Sequence, residues 1–460
     1  MPAPLHTIIL AAGQGTRMKS AKPKVLHEIG GKAMLGHVID TAHELGAAGI
    51  HVVVGHGAAR VREWAAAQYG EGAVQWAEQR EQKGTAHAVQ QAMPQIPDAA
   101  QVLVLYGDVP LVPAGTLREL VATGARTLAV ATVELAEPFG YGRIVRDRGG
   151  RVTGIVEEKD ATARQRLIRE VNTGLLSAPA KKLRGWLARV KNRNAKGEYY
   201  LTDVVAMAAK GGLKVATVGA SAADVEGAND RAQLARLERV LQQRRAADLM
   251  QAGVALRDPA RFDLRGTLKC GRDVTIDVGC VFEGEVELGD GVTLGPYCVL
   301  RDVKLGAGTI VHAHSVLDGC AAEADCVIGP FARVRPTTQL ATGSHVGNFV
   351  EVKNATLGAA TKANHLAYVG DARIGARTNI GAGVITCNYD GVSKHRTLIG
   401  DDVFVGSDTQ LIAPVTVHDG ATIGAGSTIT RDVPAGGLTI ARAREQKTLS
   451  NWQRPKKPPK

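Results

Sequence analysis

A chain of 460 residues is too long for one ordinary hydrophobic core and predicts two or three domains. Its hydrophobic content of 45% and charged content of 22% are ordinary for a globular protein. The net charge of +11, part of which lies in the tail from Arg454 to Lys460, suits anionic ligands such as nucleotides or phosphosugars. Nucleic-acid binding would need a basic face with stacking aromatics, and the sequence has no such cluster.

The sequence also predicts a cytoplasmic protein. It shows no signal peptide and no apolar run long enough to span a membrane. All six cysteines lie between Cys270 and Cys387, and none forms a Cys-x-x-Cys pair. We expect them to pack as small hydrophobic side chains, as is usual in a reducing compartment.

The first half of the chain alternates predicted strands with predicted helices. The strands are His6–Ala12, Ile50–Val54, Gln101–Tyr106, Leu128–Val133, Gly142–Val145 and Arg151–Val156. The helices are Met34–Leu45, Ala58–Gln68 and Gly84–Met93. This alternation continues to about Gly227 and predicts a Rossmann-like α/β domain with helices on both faces of its sheet.

One long helix is predicted to link this domain to the rest of the chain. Leucines recur near helical spacing within Arg231–Met250, at positions 234, 237, 241 and 249, with Arg and Glu between them. Such an amphipathic pattern is typical of a helix that buries one side.

Beyond the helix, from about Asp263 to Asp432, aliphatic residues recur every six positions. The runs are Leu288, Leu294, Leu300; Ile328, Val334, Leu340, Val346, Val352; and Ile399, Val405, Leu411, Val417, Ile423, Ile429. A helix repeats every 3.6 residues and a strand every 2, so this period is neither. It is typical of a hexapeptide coil, a parallel β-helix in which three hexads close one rung. A β-sandwich would need a period-two alternation, which this stretch lacks.

A glycine-rich loop follows the first predicted strand, at Leu10-Ala-Ala-Gly-Gln-Gly-Thr-Arg-Met18. Such a loop lets backbone N–H groups approach phosphates. It is not the dinucleotide fingerprint, because Met18 stands where the third glycine should be. A plain tight turn would explain the glycines alone, but Arg17 and Lys24 add two cations that suit a triphosphate.

This loop, with Pro23-Lys24-Val25-Leu26 after it, resembles the signature of sugar-1-phosphate nucleotidyltransferases. The remaining parts of that pattern are Gln79, Gly84-Thr85, Tyr106-Gly107-Asp108, Tyr141-Gly142-Arg143, Glu157, Asn172-Thr173-Gly174 and Asn229. Together with the coil, nearly all of residues 5–455 resemble the bacterial family of bifunctional N-acetylglucosamine-1-phosphate uridyltransferase/glucosamine-1-phosphate acetyltransferases. Gln14, at a loop position that often carries Lys, is the mildest difference.

The resemblance implies a division into a uridyltransferase domain (1–229), a linker helix (230–250) and an acetyltransferase domain with its tail (251–460). It implies a left-handed coil and a homotrimer in which neighbouring coils share acetyl-CoA sites. The implied product is UDP-N-acetylglucosamine, a precursor for peptidoglycan and lipopolysaccharide.

For the first domain, the position of Asp108 agrees with a site. It follows an apolar strand, so its carboxylate lies at the carboxyl edge of the sheet, although a lone Asp there is as often a helix cap as a metal ligand. The resemblance implies Mg²⁺ held by Asp108, Asn229 and substrate phosphates, with Arg17 catalytic and the sugar phosphate attacking UTP directly. The implied nucleotide-sugar contacts are Leu10, Ala11, Ala12, Gly13, Lys24, Gln79, Gly84, Thr85, Tyr106, Gly107, Asp108, Gly142, Glu157, Asn172 and Asn229.

For the coil, the resemblance implies that His365 is the general base that takes a proton from the glucosamine amine. Arg335 and Lys353 would hold the sugar phosphate, and Tyr368 and Asn379 the sugar. The implied acetyl-CoA contacts are Ala382, Asn388, Tyr389, Ser407, Ala425 and Arg442.

Three other interpretations stay open on the sequence. Hexapeptide coils also occur in zinc enzymes similar to γ-type carbonic anhydrases, and His312, His314, His345 and His365 could serve as ligands from adjacent subunits. The coil could be only an oligomerisation scaffold, but His365, Tyr368, Asn388 and Tyr389 speak against that. A non-enzymatic solenoid would leave Arg17, Lys24 and Asp108 without a task.

Overall fold

The computed structural model describes residues 3–442, so the basic tail lies outside the described residues. The chain forms two compact units, Met1–Leu241 and Gln242–Lys460. Within the described part, no helix is both long and apolar enough to cross a membrane.

The first unit is an α/β domain, as predicted. Its strands are β1 Leu5–Leu10, β2 Glu28–Ile29, β3 Lys32–Ala33, β4 Gly49–Val54, β5 Gln75–Glu78, β6 Gln101–Tyr106, β7 Ala129–Glu134, β8 Arg143–Arg146, β9 Val152–Val156, β10 Glu170–Pro179 and β11 Ala216–Gly219. Its helices are α1 Met34–Glu44, α2 Ala58–Tyr69, α3 Thr85–Ala92, α4 Ala114–Gly124, α5 Ala163–Arg166, α6 Ala180–Leu187, α7 Asp203–Lys210 and α8 Ala222–Val225, followed by α9 Arg231–Gln251. The main sheet has the order β11-β7-β10-β6-β1-β4-β5, and β10 runs antiparallel to both its neighbours.

Two hydrophobic cores cover the two faces of this sheet. Ile8 and Val104 belong to one core, whereas Ile9 and Leu103 belong to the other, because successive side chains of a strand point to opposite faces. Strand β1 lies between β4 and β6 and is parallel to both. The chain therefore reverses its direction of winding at β1, and the carboxyl ends of β1 and β6 form a topological switch point, where α/β proteins bind ligands.

Helix α9 confirms the predicted linker helix and ends one residue later. Leu237 is fully buried and packs with Ile29, Met34 and Leu111 of the first unit. Within the second unit, the Gln242 side chain hydrogen-bonds both the N–H and the carbonyl of Leu264, at 2.8 and 2.9 Å. The division between the two units falls inside this helix.

The second unit is a parallel β-helix with three faces. The first face holds Ala255–Leu256, Thr275–Ile276, Thr293–Leu294, Ile310–Val311, Val327–Ile328, His345–Asn348, Lys362–His365, Asn379–Ile380, Phe404–Val405, Thr422–Ile423 and Leu438–Thr439. The second and third faces form one continuous sheet, because Asp263–Cys270, Val281–Leu288 and Val299–Leu305 run from one face onto the other. Its remaining strands are Val316–Asp318, Ala321–Ala322, Arg333–Val334, Gln339–Leu340, Glu351–Lys353, Thr356–Leu357, Tyr368–Gly370, Ala372–Ile374, Ile385–Cys387, Thr397–Ile399, Gln410–Ile412, Val415–Val417 and Thr428–Ile429.

The hexad residues form the core of this coil, as predicted. Every aliphatic residue of the three runs is at most 4% exposed. Four of the six cysteines are buried in the same unit and all six are free, in agreement with their predicted packing. No observation tests the left-handed winding, which stays a prediction.

One rung is much longer than its neighbours. Val311 pairs with Ile328 and Ile328 with Val346, which are 17 and 18 residues apart. Ile380 pairs with Val405, 25 residues later, because residues 388–396 form an inserted loop between two faces. The coil also extends beyond the predicted limits, from Ala255 to Thr439. An end rung is covered on one side only, so it needs fewer aliphatic residues at hexad spacing than an inner rung.

Candidate active sites

Two adjoining cavities open at the switch point of the α/β domain. The first has a volume of about 360 Å³, and its lining includes Leu10, Ala12, Gly13, Lys24 and Asp108. The second has a volume of about 290 Å³ and shares Thr85 and Tyr106 with the first. Because the two cavities adjoin, one elongated ligand could occupy both.

The glycine-rich loop fits closely against Lys24. Gly15 has φ 64°, and a Cβ there would lie 2.6 Å from Lys24 Cβ, so a larger residue would displace the lysine. Arg17 lies next to it on the helical turn Thr16–Met18 and is exposed. Within residues 3–442, Arg17 makes no ion pair, so its charge is open to a ligand.

Lys24, Asp108 and Asn229 form one polar cluster at the mouth of the first cavity. The Lys24 ammonium donates a hydrogen bond to Asp108 Oδ2 and another, of 3.2 Å, to Asn229 Oδ1. The two charged side chains are only about 15% exposed. The backbone N–H of Ala228 donates to the Asp108 carbonyl at 3.0 Å, which brings Asn229 to Asp108 across the chain. Two oxygens of different residues thus converge beside a lysine.

The far end of the first cavity is organised around Gln79. Its amide Nε2 donates to the Gly84 carbonyl at 3.0 Å and lies 3.1 Å from His87 Nδ1. The Gln82 amide donates to the Ala12 carbonyl at 2.6 Å, which ties this segment to the glycine-rich loop. These contacts fix the polar groups that face the cavity.

The second cavity contains a partly buried carboxylate. Thr202 donates a hydrogen bond of 3.0 Å to Glu157 Oε1. Burial raises the pKa of Glu157, although the bond from Thr202 acts in the opposite direction. The N–H of Asn172 donates to the Gly142 carbonyl at 2.8 Å, and a Cβ on Gly142 would lie 3.4 Å from Glu157 Oε1. The carboxylate, the amide and the glycine therefore line one small space.

His365 lies at a corner of the coil, in a column of small residues. Ala363, Ile380, Val405 and Ile423 are register partners on successive rungs of the first face. Two residues after each of these partners come, from rung to rung, His365, Ala382, Ser407 and Ala425. The Arg442 guanidinium closes the column with a hydrogen bond of 2.7 Å to the Ala425 carbonyl. Since rungs lie about 4.8 Å apart, the column runs for about 14 Å from the imidazole.

The same corner is bulky on the other side of His365. Tyr297, His314, Phe331 and Phe349 stack ring on ring, with centroids 5.0 to 5.3 Å apart. Leu366 continues this row and is 61% exposed. On the next rungs, the register positions of Leu366 hold Gly383, Asp408 and Gly426. The row of large side chains therefore ends at Leu366, and an extended molecule has room along the later rungs.

A second polar cluster surrounds Asp371, at the next corner. Its carboxylate accepts hydrogen bonds from Asn354 (2.6 Å) and Asn388, and its Oδ2 lies 3.7 Å from Lys353 Nζ. Burial would raise the pKa of Asp371, but these partners and the charge of Lys394 together hold it below its ordinary value. The Lys353 ammonium in turn lowers the pKa of Lys394, since the two cations lie close together. Two lysines side by side suit a phosphate.

The inserted loop of residues 388–396 joins this cluster. Asn388 Nδ2 lies 3.5 Å from the Tyr368 hydroxyl as well as against Asp371. Within the loop, Asp390 accepts hydrogen bonds from two backbone N–H groups and from His395, at 2.7 to 2.8 Å. Tyr389 is 60% exposed and its hydroxyl donates to the Gly391 carbonyl. The loop is therefore self-supported and presents its aromatic ring outward.

Comparison with known proteins bears on both units. Residues 7–172 match the model of the MobA-like NTP transferase domain, and residues 396–431 match that of the bacterial transferase hexapeptide (six repeats). Over the whole chain, the sequence is 57% identical to "Bifunctional protein GlmU" of Alkalilimnicola ehrlichii, with 99% of this chain and 97% of the relative covered. The proteins of that name from Stenotrophomonas maltophilia and Marinobacter nauticus are 58% and 55% identical, each with 99% of this chain and 100% of the relative covered.

The chain belongs to the bifunctional GlmU family. It is an enzyme that combines a nucleotidyltransferase domain with an acyltransferase domain of hexapeptide repeats, as the resemblance implied.

The predicted site residues of this GlmU family member fall into three groups. Most of those in the first domain line one or both cavities: Leu10, Ala11, Ala12, Gly13, Lys24, Gln79, Gly84, Thr85, Tyr106, Asp108, Gly142, Glu157 and Asn172. Gly107, Asn229 and Arg17 are not among the lining residues of either cavity. In the coil, Lys353, Tyr368 and Asn388 meet at Asp371, whereas His365, Ala382, Ser407, Ala425 and Arg442 share the corner column.

Of the predicted coil residues, Arg335 and Asn379 lie outside both groups, whereas His365 belongs to the column by its register position. Arg335 forms an ion pair with Glu351 at 2.8 Å. His365 is exposed, and no hydrogen bond joins its ring to another side chain within residues 3–442. Asn379 lies on the first face, where it is the register partner of Lys362. For the zinc interpretation, the described part of a single chain contains no group of three His, Cys, Asp or Glu side chains that could hold a metal.

Sequence reasoning missed several residues of these sites. Thr202, Asp371 and Lys394 carry no local pattern that separates them from surface polar residues, and they join the sites only through tertiary contacts. The structure also shows that Asp371 has φ 48° at a coil corner, which is rare for a residue with a side chain and is not visible in the sequence.

Proposed function

We propose that this bifunctional GlmU protein makes UDP-N-acetylglucosamine in two steps. The coil acetylates glucosamine 1-phosphate with acetyl-CoA, and the α/β domain then transfers UMP from UTP to the resulting N-acetylglucosamine 1-phosphate, releasing pyrophosphate. The observation that carries the proposal is the identity of 55–58% to bifunctional GlmU proteins over both units of the chain. The polar clusters described above supply a task for each unit.

In uridyl transfer, the phosphate oxygen of the sugar attacks the α-phosphorus of UTP and pyrophosphate leaves. The chain supplies position and charge, and no protein nucleophile is needed. The two adjoining cavities fit a nucleotide and a sugar end to end, with Gln79 facing the base and Glu157 facing the sugar. Lys24 and the exposed Arg17 neutralise phosphate charge.

We further propose Mg²⁺ as the cofactor of this step. Asp108 Oδ2 and Asn229 Oδ1 approach the same ammonium group, so both oxygens face one small volume. Few protein oxygens, completed by phosphate and water, are what Mg²⁺ prefers. When bound, the ion would neutralise charge on the phosphates of UTP. Lys24 would then shift from the two oxygens toward a phosphate.

In acetyl transfer, the amine of glucosamine 1-phosphate attacks the thioester carbon of acetyl-CoA, and coenzyme A leaves as the thiol. His365 takes the proton from the amine. The column Ala382, Ser407 and Ala425 is smooth enough to take the extended pantetheine arm, and it leads directly to the imidazole. Lys353, with Arg335 and Lys394 nearby, holds the phosphate of the sugar.

We also propose a cytoplasmic homotrimer. The stacked rings of Tyr297, His314, Phe331 and Phe349 form an exposed apolar row along one corner, and single corners of this kind are suited to contact with a second coil. Tyr389 and Arg442 would then serve a site shared by neighbouring subunits. Sedimentation of the intact protein as a monomer alone at micromolar concentration would contradict this assembly.

One assay tests the whole proposal. Purified protein is supplied with glucosamine 1-phosphate, acetyl-CoA, UTP and Mg²⁺, and the products are identified by mass. UDP-N-acetylglucosamine is expected only with all four components. Omission of acetyl-CoA should stop the sequence unless N-acetylglucosamine 1-phosphate is supplied, and excess chelator should stop only uridyl transfer. If the product forms from N-acetylglucosamine 1-phosphate but not from glucosamine 1-phosphate and acetyl-CoA, the coil is only a scaffold.

A further inference from the structure

Arg143 is a charged residue that the proposed reaction does not use. It is 2% exposed, and it begins strand β8 directly after Gly142 of the sugar cavity. Burial of an arginine is costly unless its N–H groups are paired. The hydrogen-bond partners of this guanidinium therefore indicate the role of Arg143.

The guanidinium bridges two parts of the cavity wall. Its Nη2 donates a hydrogen bond of 2.6 Å to Glu158 Oε2, and its Nη1 donates to the Tyr141 carbonyl. The same carboxylate oxygen accepts a hydrogen bond of 3.3 Å from the Gly140 N–H. The hydrogen bond from Arg143 lowers the pKa of Glu158, so the pair is ionised at neutral pH. The Gly140 N–H and the Tyr141 carbonyl are thus tied to one partly buried ion pair.

The strand register explains why this pair affects the sugar cavity. Strands β8 and β9 are antiparallel, with Arg143 opposite Val156. Gly142 therefore lies opposite Glu157. The Arg143–Glu158 ion pair is next to these two residues in sequence, at the end of the β8–β9 hairpin away from its turn. Gly140, Tyr141, Gly142 and Glu157 all line the cavity, whereas neither Arg143 nor Glu158 does.

We propose that Arg143, through Glu158, is a positioning residue that holds the Gly140–Gly142 segment and Glu157 in place for the sugar phosphate. The inference rests on the proposed function of this cavity. Arg143 contacts no reacting atom. Its planar guanidinium presents separate N–H groups to two acceptors at once. The ammonium group of a lysine is a single compact charge and cannot reproduce this geometry.

The test uses Arg143→Lys with Arg146→Lys as its matched control. Arg146 lies on the same strand and binds Glu170 through two hydrogen bonds of 2.7 and 2.8 Å, but it does not line the cavity. For Arg143→Lys, we expect KM for N-acetylglucosamine 1-phosphate to rise on the order of tenfold. KM for UTP and the acetyl transfer rate should stay within about twofold of wild type, and Arg146→Lys should leave all three unchanged.

The outcomes separate the inference from the proposed function. An unchanged KM for the sugar phosphate in Arg143→Lys, or an equal rise in KM for UTP, would overturn the positioning role. A wild-type protein that does not use this sugar phosphate at all would instead overturn the proposed function. If Arg143→Lys fails to fold, Glu158→Gln replaces it: the amide oxygen can still accept both bonds but without charge. A selective rise in KM for the sugar phosphate is expected there too, and its absence would refute the inference.

Discussion

Replacement of His365 by alanine should abolish most acetyl transfer and leave the fold intact. The imidazole is exposed and makes no hydrogen bond to another side chain in the described part of the chain, so truncation breaks no side-chain hydrogen bond there. Substitutions at such surface positions usually change the free energy of unfolding by less than about 0.5 kcal/mol. Loss of a general base typically costs 10²–10⁴-fold in rate, which corresponds to about 2.7–5.5 kcal/mol in the barrier.

The assay measures both activities and the melting temperature of His365→Ala, with and without chelator. His418→Ala is the matched control, since His418 is another exposed histidine of the coil. Acetyl transfer should fall by two to four orders of magnitude only in His365→Ala, while uridyl transfer and melting temperature stay near wild type in both variants. Near-normal acetyl transfer would refute the general-base role. Loss of acetyl transfer from wild type on addition of chelator would favour a zinc site instead.

Three further predictions concern the α/β domain. Asp108→Ala should lower uridyl transfer by on the order of 10²-fold or more, because it leaves Lys24 without its carboxylate and removes a proposed Mg²⁺ ligand. Acetyl transfer should be unchanged. Full uridyl transfer would contradict the metal assignment. Burial raises the pKa of Glu157, so the folded protein holds that proton more tightly than the unfolded chain does and the ionised carboxylate is destabilising at neutral pH. Glu157→Gln should therefore raise the melting temperature at pH 7–8, and the gain should shrink toward about pH 4.3; a gain independent of pH would be evidence against it. Burial lowers the pKa of His6 and of its hydrogen-bonded neighbour His51, so below about pH 6.5 the unfolded chain binds more protons than the folded protein. The free energy of unfolding should therefore fall by up to about 1.4 kcal/mol per pH unit for each histidine as the pH is lowered. Urea unfolding between pH 5 and 7 should show this slope, and His51→Gln should reduce it.

The sequence by itself determined the two architectures. A period of six over long runs is a local property, and each aliphatic residue at that spacing is buried in the coil because its position in the hexad points inward, as does that of the residue two places earlier. The apolar runs of β1 and β6 likewise predicted strands of an α/β sheet, and their ends located the loop at Leu10 and the carboxylate of Asp108. Resemblance to known motifs then named the candidate residues.

Only the tertiary structure decided which of these residues meet. Lys24 and Asn229 are 205 positions apart and come together because Ala228 pairs with the backbone of Asp108. In the coil, the rungs are 16 to 25 residues long, so a constant spacing cannot predict that Ser407 lies in one column with His365. The buried carboxylate of Asp371 organises its cluster through residues from three rungs. Such contacts depend on register and on loop insertions, which short-range periodicity does not record.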